Sequence, residues 1–103
     1  MHNVILSTCG SRSEAEKIAR DLVERRLAAC VNIMPVNSHY RWKGRITAGR
    51  EYLIIAKSKS EVFAKLKKRI LALHSYELPE LLSLKVDGGL KKYLDWIDGE
   101  TRK

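Results

Sequence analysis

Cysteine and histidine side chains carry the most distinctive chemistry in this sequence. Copper and zinc favour thiolate and imidazole ligands. The candidate ligands are Cys9, Cys30, His2, His39 and His74, with Glu77 and Glu80 as oxygen donors. None of them are paired at CxxC or HxxxH spacing, so the sequence predicts no closed local site. A metal site has to be assembled in space, within one chain or between subunits.

His74 and Glu77 are the pair most able to converge, because they lie three residues apart in one predicted loop. Structural roles compete with metal binding at these positions. A small buried cysteine such as Cys9 or Cys30 is commonly a core residue. His74 can instead be a cation that stabilises a helix C-terminus, and His2 is expected in a disordered terminus.

Catalytic motifs are weaker still. The chain has no Ser/His/Asp order typical of acyl transfer and no glycine-rich phosphate loop. Gly88-Gly89 could present amides to an anion, although such a pair is commonly a turn. Lys57, His74 and Glu77 are types able to do acid–base work in a cleft, but they define no mechanism. We expect no enzymatic activity and no obligatory cofactor.

Positive charge is the strongest compositional signal. The formal net charge is +8, and residues 37–103 hold fifteen basic and eight acidic side chains. Such an excess favours anionic partners such as nucleic acid, nucleotides or acidic surfaces. A solvated lysine-rich surface, common in heat-stable proteins, is the simpler explanation.

The length of 103 residues predicts one domain, residues 1–103. No apolar run approaches the roughly 18 residues of a membrane span, and the start MHNVILSTCGSR does not resemble a secretory signal. Two cysteines are too few for a disulfide framework. We therefore expect free thiols, a cytoplasmic location and no membrane partner.

Hydrophobic periodicity predicts the element order β-α-β-β-α-β-α. Predicted strands lie near 4–6, 30–43, 51–57 and 81–87. A helix begins with a capping box at Ser11 or Ser13, and another begins near 58–60. A short last helix begins at Leu90. The first six elements match the split βαβ of the ferredoxin-like fold, an α+β class with an antiparallel sheet.

The same element order occurs in RNA-binding domains whose central strands carry stacking aromatics. Here the strand 51–57 reads EYLIIAK, with one aromatic residue. The basic helix face formed by Lys65, Lys67, Lys68 and Arg69 could hold phosphates nonspecifically. Nucleic acid is the least favoured partner.

A long hairpin around Gly44 predicts an oligomer. The segment 37–43 extends about 23 Å at ~3.3 Å per residue, whereas a domain of this size has a radius of gyration near 13 Å. Its outgoing strand carries Tyr40 and Trp42 on one face, which a neighbouring subunit would cover. Pro35 in the same strand indicates a bulge or a sheet edge. The alternative is a hairpin that folds back over its own sheet.

Several strings together resemble the CutA divalent-cation-tolerance family over nearly the whole chain. They are Cys30-Val31-Asn32-Ile33 with Pro35, Ser38-x-Tyr40-x-Trp42-x-Gly44-x-Ile46, Glu51 and Lys57, His74-x-Tyr76-Glu77-x-Pro79-Glu80, and Tyr93-Leu94-x-Trp96. Ser58 and Ser75 depart from the family's usual threonine and proline.

The resemblance implies a ferredoxin-like fold, a homotrimer and a cytoplasmic role in tolerance to divalent metals, copper above all. It also implies kinship in shape with PII-type signalling trimers, and it places Cys30 in an inter-subunit cleft. The resulting hypothesis is a metal-responsive or ligand-sensing homotrimer. Its metal ligands are Cys30 as soft donor with His74 and Glu77, Trp42 and Lys57 line the ligand cleft, and Tyr40 and Trp42 form the trimer interface.

The hypothesis leaves the ligand open as copper, another divalent metal ion or a small molecule. Two alternatives to it also stay open. The first is a PII-like signalling trimer that binds a small anionic ligand, with Lys57 holding that ligand. The second is the basic RNA-binding module.

Overall fold

The described chain forms four strands and three α-helices. The structure, a computed structural model, describes residues 1–102. The strands are β1 (His2–Cys9), β2 (Cys30–Trp42), β3 (Arg45–Lys59) and β4 (Leu82–Lys85). The helices are α1 (Arg12–Glu24), α2 (Phe63–Leu73), which follows a single 3₁₀ turn at Ser60–Val62, and α3 (Lys91–Glu100).

The strands form one sheet in the order β2-β3-β1-β4, and every neighbouring pair is antiparallel. Because β3 lies between β1 and β2, the first βαβ unit is split, as in the ferredoxin-like fold. The predicted α+β fold class and antiparallel sheet are confirmed.

Helices α1 and α2 cover one face of the sheet and enclose the core. Ile18 of α1 and Ile70 of α2 are fully buried, as are Ile5 of β1 and Ile54 of β3. Full burial of one such side chain stabilises the fold by roughly 1.5–3 kcal/mol. Ser11 caps α1, since its Oγ accepts a hydrogen bond from the Glu14 amide at 3.2 Å.

The opposite face of the sheet carries apolar side chains that no helix covers within the described chain, except at one end. Leu6 of β1 lies between Ile55 of β3 and Leu82 of β4, on the face away from Ile5. Leu82 is 52% exposed and Met34 of β2 is 44% exposed. We call this surface the open sheet face.

α3 packs where β1 begins and β3 ends. His2 lies in β1, and its Nε2 is 3.0 Å from Oδ1 of Asp98 and 3.1 Å from the Leu94 carbonyl. The expectation of a disordered terminus at His2 is therefore wrong, because the ladder with Lys59 and the contact with α3 hold it. The strand expected at 81–87 is shorter, four residues from Leu82 to Lys85.

The β2–β3 hairpin extends past the rest of the sheet. Its ladder runs from Cys30 opposite Lys57 to Trp42 opposite Arg45, whereas β1 pairs β3 only from Tyr52 onward. The two-residue turn at Lys43 (φ 50°) and Gly44 (φ 78°) has the positive φ pair of a type I′ hairpin. The hairpin does not fold back.

Pro35 marks the edge and not a bulge. β2 is an outer strand of the sheet, and its register with β3 is continuous through Pro35 opposite Tyr52. A missing N–H is tolerated at an edge.

Candidate metal and ligand site

Cys30 and Lys57 lie directly opposite each other at the base of the hairpin. Lys57 Nζ is 3.8 Å from Cys30 Sγ and also donates to Asn32 Oδ1. Strand alternation places all three on the open sheet face. The group combines a soft thiol donor with a cation suited to a carboxylate or another anion.

His74 lies elsewhere, at the C-terminal end of α2 beside the end of β1. Its Nε2 is 2.7 Å from the Thr8 carbonyl oxygen, and its Nδ1 accepts the Tyr76 amide hydrogen bond at 3.1 Å. A carbonyl accepts and an amide donates, so Nε2 carries the proton and Nδ1 has none. This pair of bonds belongs to a neutral imidazole and not to a helix-terminal cation.

One chain does not bring the predicted metal ligands together. Cys9 Sγ lies 3.8 Å from His74 Nε2. In the strand register, Cys9 lies opposite Tyr52 of β3, whereas Cys30 lies opposite Lys57. Those two positions on β3 are five residues apart, or roughly 16 Å at ~3.3 Å per residue. Residues 1–102 contain no group of three or more His, Cys, Asp or Glu side chains able to hold a metal ion.

Tyr40 and Trp42 lie at the far end of the hairpin. Trp42 is 12 positions from Cys30 in a continuous strand, a span of about 40 Å at ~3.3 Å per residue. Trp42 is 38% and Tyr40 45% exposed, and Lys43 Nζ lies 5.7 Å from the centroid of a Trp42 ring. Trp42 and Lys57 can therefore line one cleft only if two chains contribute to it.

Tyr76 organises a cluster that sequence reasoning did not assign. Its hydroxyl donates to Glu51 Oε2 at 2.7 Å, and its ring lies 4.8 Å from the His74 ring. A Cβ at Gly10 would come within 3.1 Å of the hydroxyl oxygen, so glycine gives this ring its room. Both Tyr76 and Glu51 occur in the family-like strings, which is the one signal that could have singled them out.

Burial raises the pKa of two groups near this cluster, Cys9 and Glu80. It raises the pKa of the Cys9 thiol to about 12, with help from Glu14 and Glu51. Burial, then the Glu51 charge, raises the pKa of Glu80 above its usual range. Cys9 is thus a protonated core thiol. Glu77, on the same loop as Glu80, is exposed.

The only aromatic residue of β3, Tyr52, packs against the core under the helices. It is therefore not available to stack on a base, as the RNA-binding alternative requires.

A family model described as the CutA1 divalent ion tolerance protein matches residues 3–100. The chain belongs to the CutA1 family. It is 47% identical over 98 residues to the divalent-cation tolerance protein CutA of Archaeoglobus fulgidus, covering 95% of this chain and 96% of that one. It is 45% identical over 102 residues to the protein of the same name from Thermus thermophilus, covering 98% and 99%.

Solved CutA structures share the whole fold. A divalent cation tolerance protein from T. thermophilus superposes with a TM-score of 0.96 at 45% identity, covering 99% of this chain and all of that one. A protein described as the periplasmic divalent cation tolerance protein CutA of A. fulgidus gives 0.95 at 46% identity, covering 97% and 98%. The family description names ion tolerance and no reaction.

Within residues 1–102, none of the CutA-family helices has the length and apolar character needed to cross a membrane.

Proposed function

We propose that this CutA-family chain is a non-catalytic homotrimer that binds copper, another divalent metal ion or a small ligand in clefts between subunits, as part of a response to metal ions. One observation carries the proposal. The proposed cleft residues Trp42 and Lys57 lie at opposite ends of the β2–β3 ladder, which spans about 40 Å at ~3.3 Å per residue. A cleft that uses both requires more than one chain, with residues 1–103 acting as one domain.

The open sheet face and the hairpin support assembly. Leu82, Leu84 and Met34 are about half exposed on one side of the sheet, and a contiguous apolar surface of this kind is typical of an interface. β2 is an unpaired edge along its outer side, which a neighbouring chain can cover. The number three rests on family kinship.

The metal ligands would come from different subunits. Cys30 supplies the thiol, and Lys57 next to it orients an anionic group. Glu77 is exposed and makes no ion pair within the described residues. His74 would have to exchange its Thr8 or Tyr76 hydrogen bond for the ion.

Copper titration tests this ligand set. We expect the Cys30→Ser/His74→Ala variant to bind copper about tenfold or more weakly than the unmodified protein. His39→Ala, which removes an exposed imidazole on the hairpin, is the control and keeps the affinity. Equal affinities for all three proteins would remove Cys30 and His74 from the site.

A PII-like role with a small anionic ligand is the second candidate. Lys57 favours it, because this half-buried residue forms no ion pair with residues 1–102. Native mass spectrometry of protein purified from its own cells separates the candidates. A copper or zinc adduct supports the metal role, and a retained nucleotide or organic anion supports the PII-like role.

A cytoplasmic location is part of the proposal. Both cysteines are free thiols, as expected in a reducing compartment. Recovery of the protein in a periplasmic or secreted fraction would contradict this location.

A further inference from the structure

A groove lined mainly by cations separates the C-terminal end of α1 from α2. It is an open cavity of about 610 Å³, within the size range of small-molecule sites. Its cationic lining comprises Arg25, Arg26, Lys65, Lys68, Arg69 and Arg102, and Glu24 also borders it. We call this cavity the basic groove.

The positive charge of the basic groove is only partly neutralised. Asp21 accepts from Arg25 at 3.1 Å and from Arg69 at 2.7 Å, and Glu100 lies 3.3 Å from Arg26. Six cations against the carboxylates of Glu24, Asp21 and Glu100 leave an excess of three positive charges. Lys65, Lys68 and Arg102 form no ion pair with residues 1–102.

Helix α2 places several of these cations along the basic groove. Lys65, Lys68, Arg69 and Ala72 follow helical spacing, so one face of α2 borders the groove while Leu66 and Ile70 are buried on the other. The small side chain of Ala72 leaves room at one end.

Arg26 occupies a backbone position that favours glycine. It follows the last turn of α1 with φ at 60°, where a side chain is disfavoured and glycine is not. The backbone of the C-terminal segment is tied there, since the Arg102 amide donates to the Arg26 carbonyl at 2.8 Å. Two arginines thus meet at the rim of the groove.

We propose that the basic groove binds a small ligand with several adjacent phosphate groups, such as an oligophosphate chain. Guanidinium groups hold phosphate oxygens in bidentate pairs, and lysines add point charges. The groove lining has no aromatic side chain for base stacking, so a nucleic acid strand fits it poorly. The site lies in the helix layer, away from the open sheet face that the assembly proposed above would cover.

Calorimetric titration of the intact protein with inorganic tripolyphosphate tests the groove. We expect Lys65→Gln/Lys68→Gln to weaken binding about tenfold or more. The control Lys67→Gln/Lys92→Gln removes the same charge outside the groove and should change affinity by less than about twofold. These four lysines are exposed and outside ion pairs of the described residues, so both variants should fold, and thermal unfolding verifies this.

The groove variant and its control distinguish a defined binding site from diffuse charge attraction. Loss of binding confined to the groove variant, with ATP competing for the same site, supports the proposal. Arg102→Gln gives a second test of the groove, because it removes a cation from the lining and leaves the backbone bond to Arg26 in place. Equal weakening in groove variant and control indicates diffuse charge attraction and overturns the proposal. Absence of tripolyphosphate binding also overturns it, whether or not single-stranded RNA binds.

Discussion

Tyr76 joins three parts of the chain at the level of single residues. Its hydroxyl donates to Glu51 on β3, its amide donates to His74 after α2, and its ring covers Gly10 after β1. Burial, then the hydrogen bond to Glu51 and the Glu51 charge, raises the pKa of Tyr76 well above its usual range. Tyr76 therefore stays neutral and acts as a fixed donor at physiological pH.

Glu80 beside this cluster predicts a pH-dependent stability. Burial and Glu51 raise its pKa in the folded state, so the folded protein favours protonated Glu80, and this contribution fades as pH rises through the folded pKa. We expect Glu80→Gln to raise the melting temperature at pH 7 and to change it little near pH 4. Thermal scans at both pH values measure the difference.

Glu77→Gln is the matched control, because Glu77 is exposed on the same loop. With metal ions removed by a chelator, its melting temperature should follow that of the unmodified protein at both pH values. A Glu80→Gln variant that melts lower at pH 7 would contradict the burial effect.

Residue identity was easier to predict than residue environment. The sequence singled out His74 as a ligand candidate, but it held no sign that Thr8 and Tyr76 occupy both ring nitrogens. Those bonds depend on where β1 ends beside α2, which is a tertiary relation. Cys30 and Lys57 were assigned to one cleft only by resemblance, and their direct pairing follows from hairpin register.

Element boundaries follow capping and turn chemistry. Ser11 was one of two candidate caps, and its hydroxyl holds the Glu14 amide. Gly44 was expected in the hairpin turn and occupies its second position with positive φ. His2 was misjudged because strand pairing and α3 hold it, and neither is visible in local sequence.

The C-terminal end of α1 predicts a gain in stability from one substitution. Arg26→Gly removes the Cβ from a left-handed backbone conformation, which costs a residue with a side chain roughly 1–2 kcal/mol, against the loss of an exposed ion pair with Glu100 worth under ~1 kcal/mol. We expect the free energy of unfolding to rise by about 1 kcal/mol. Denaturant unfolding measures it.

Arg25→Gly provides the comparison, since Arg25 has negative φ and contacts Asp21 at 3.1 Å. That variant should be less stable than the unmodified protein. If Arg26→Gly were destabilising as well, the strain assigned to Arg26 would be absent. If Arg26→Gly is more stable but binds tripolyphosphate more weakly, the arginine at this position contributes charge to the basic groove at the expense of stability.

At the scale of the whole molecule, the main feature is an elongated shape. The principal extents are 44 × 25 × 21 Å, and the long axis reflects a hairpin that leaves β1 behind after Tyr52. The sequence predicted this projection from the length of the alternating segment. It could not predict what lies against the open sheet face, because that depends on other chains.

Trp42→Ala tests the hairpin as an assembly element. If a partner subunit buries Trp42, the substitution should cost about 3–5 kcal/mol, lower the melting temperature and shift the oligomer toward smaller species. Sedimentation at several protein concentrations measures the shift. Ile46→Ala is the control on the other face of the same hairpin, where the side chain is 73% exposed.

An unchanged oligomer with unchanged melting in Trp42→Ala would show that Trp42 does not join the subunits. A stable single chain in dilute solution would remove the shared cleft altogether, and the metal and PII-like proposals with it. The basic groove would be unaffected, because it is built within one chain.

The unlike surroundings of the two sulfur atoms give the protein a built-in reporter. Cys9 is sealed in the core, whereas Cys30 is partly open at the base of the hairpin. A thiol-specific dye should attach once per folded polypeptide without any engineering. Its emission would then register whatever enters or leaves the neighbourhood of Lys57.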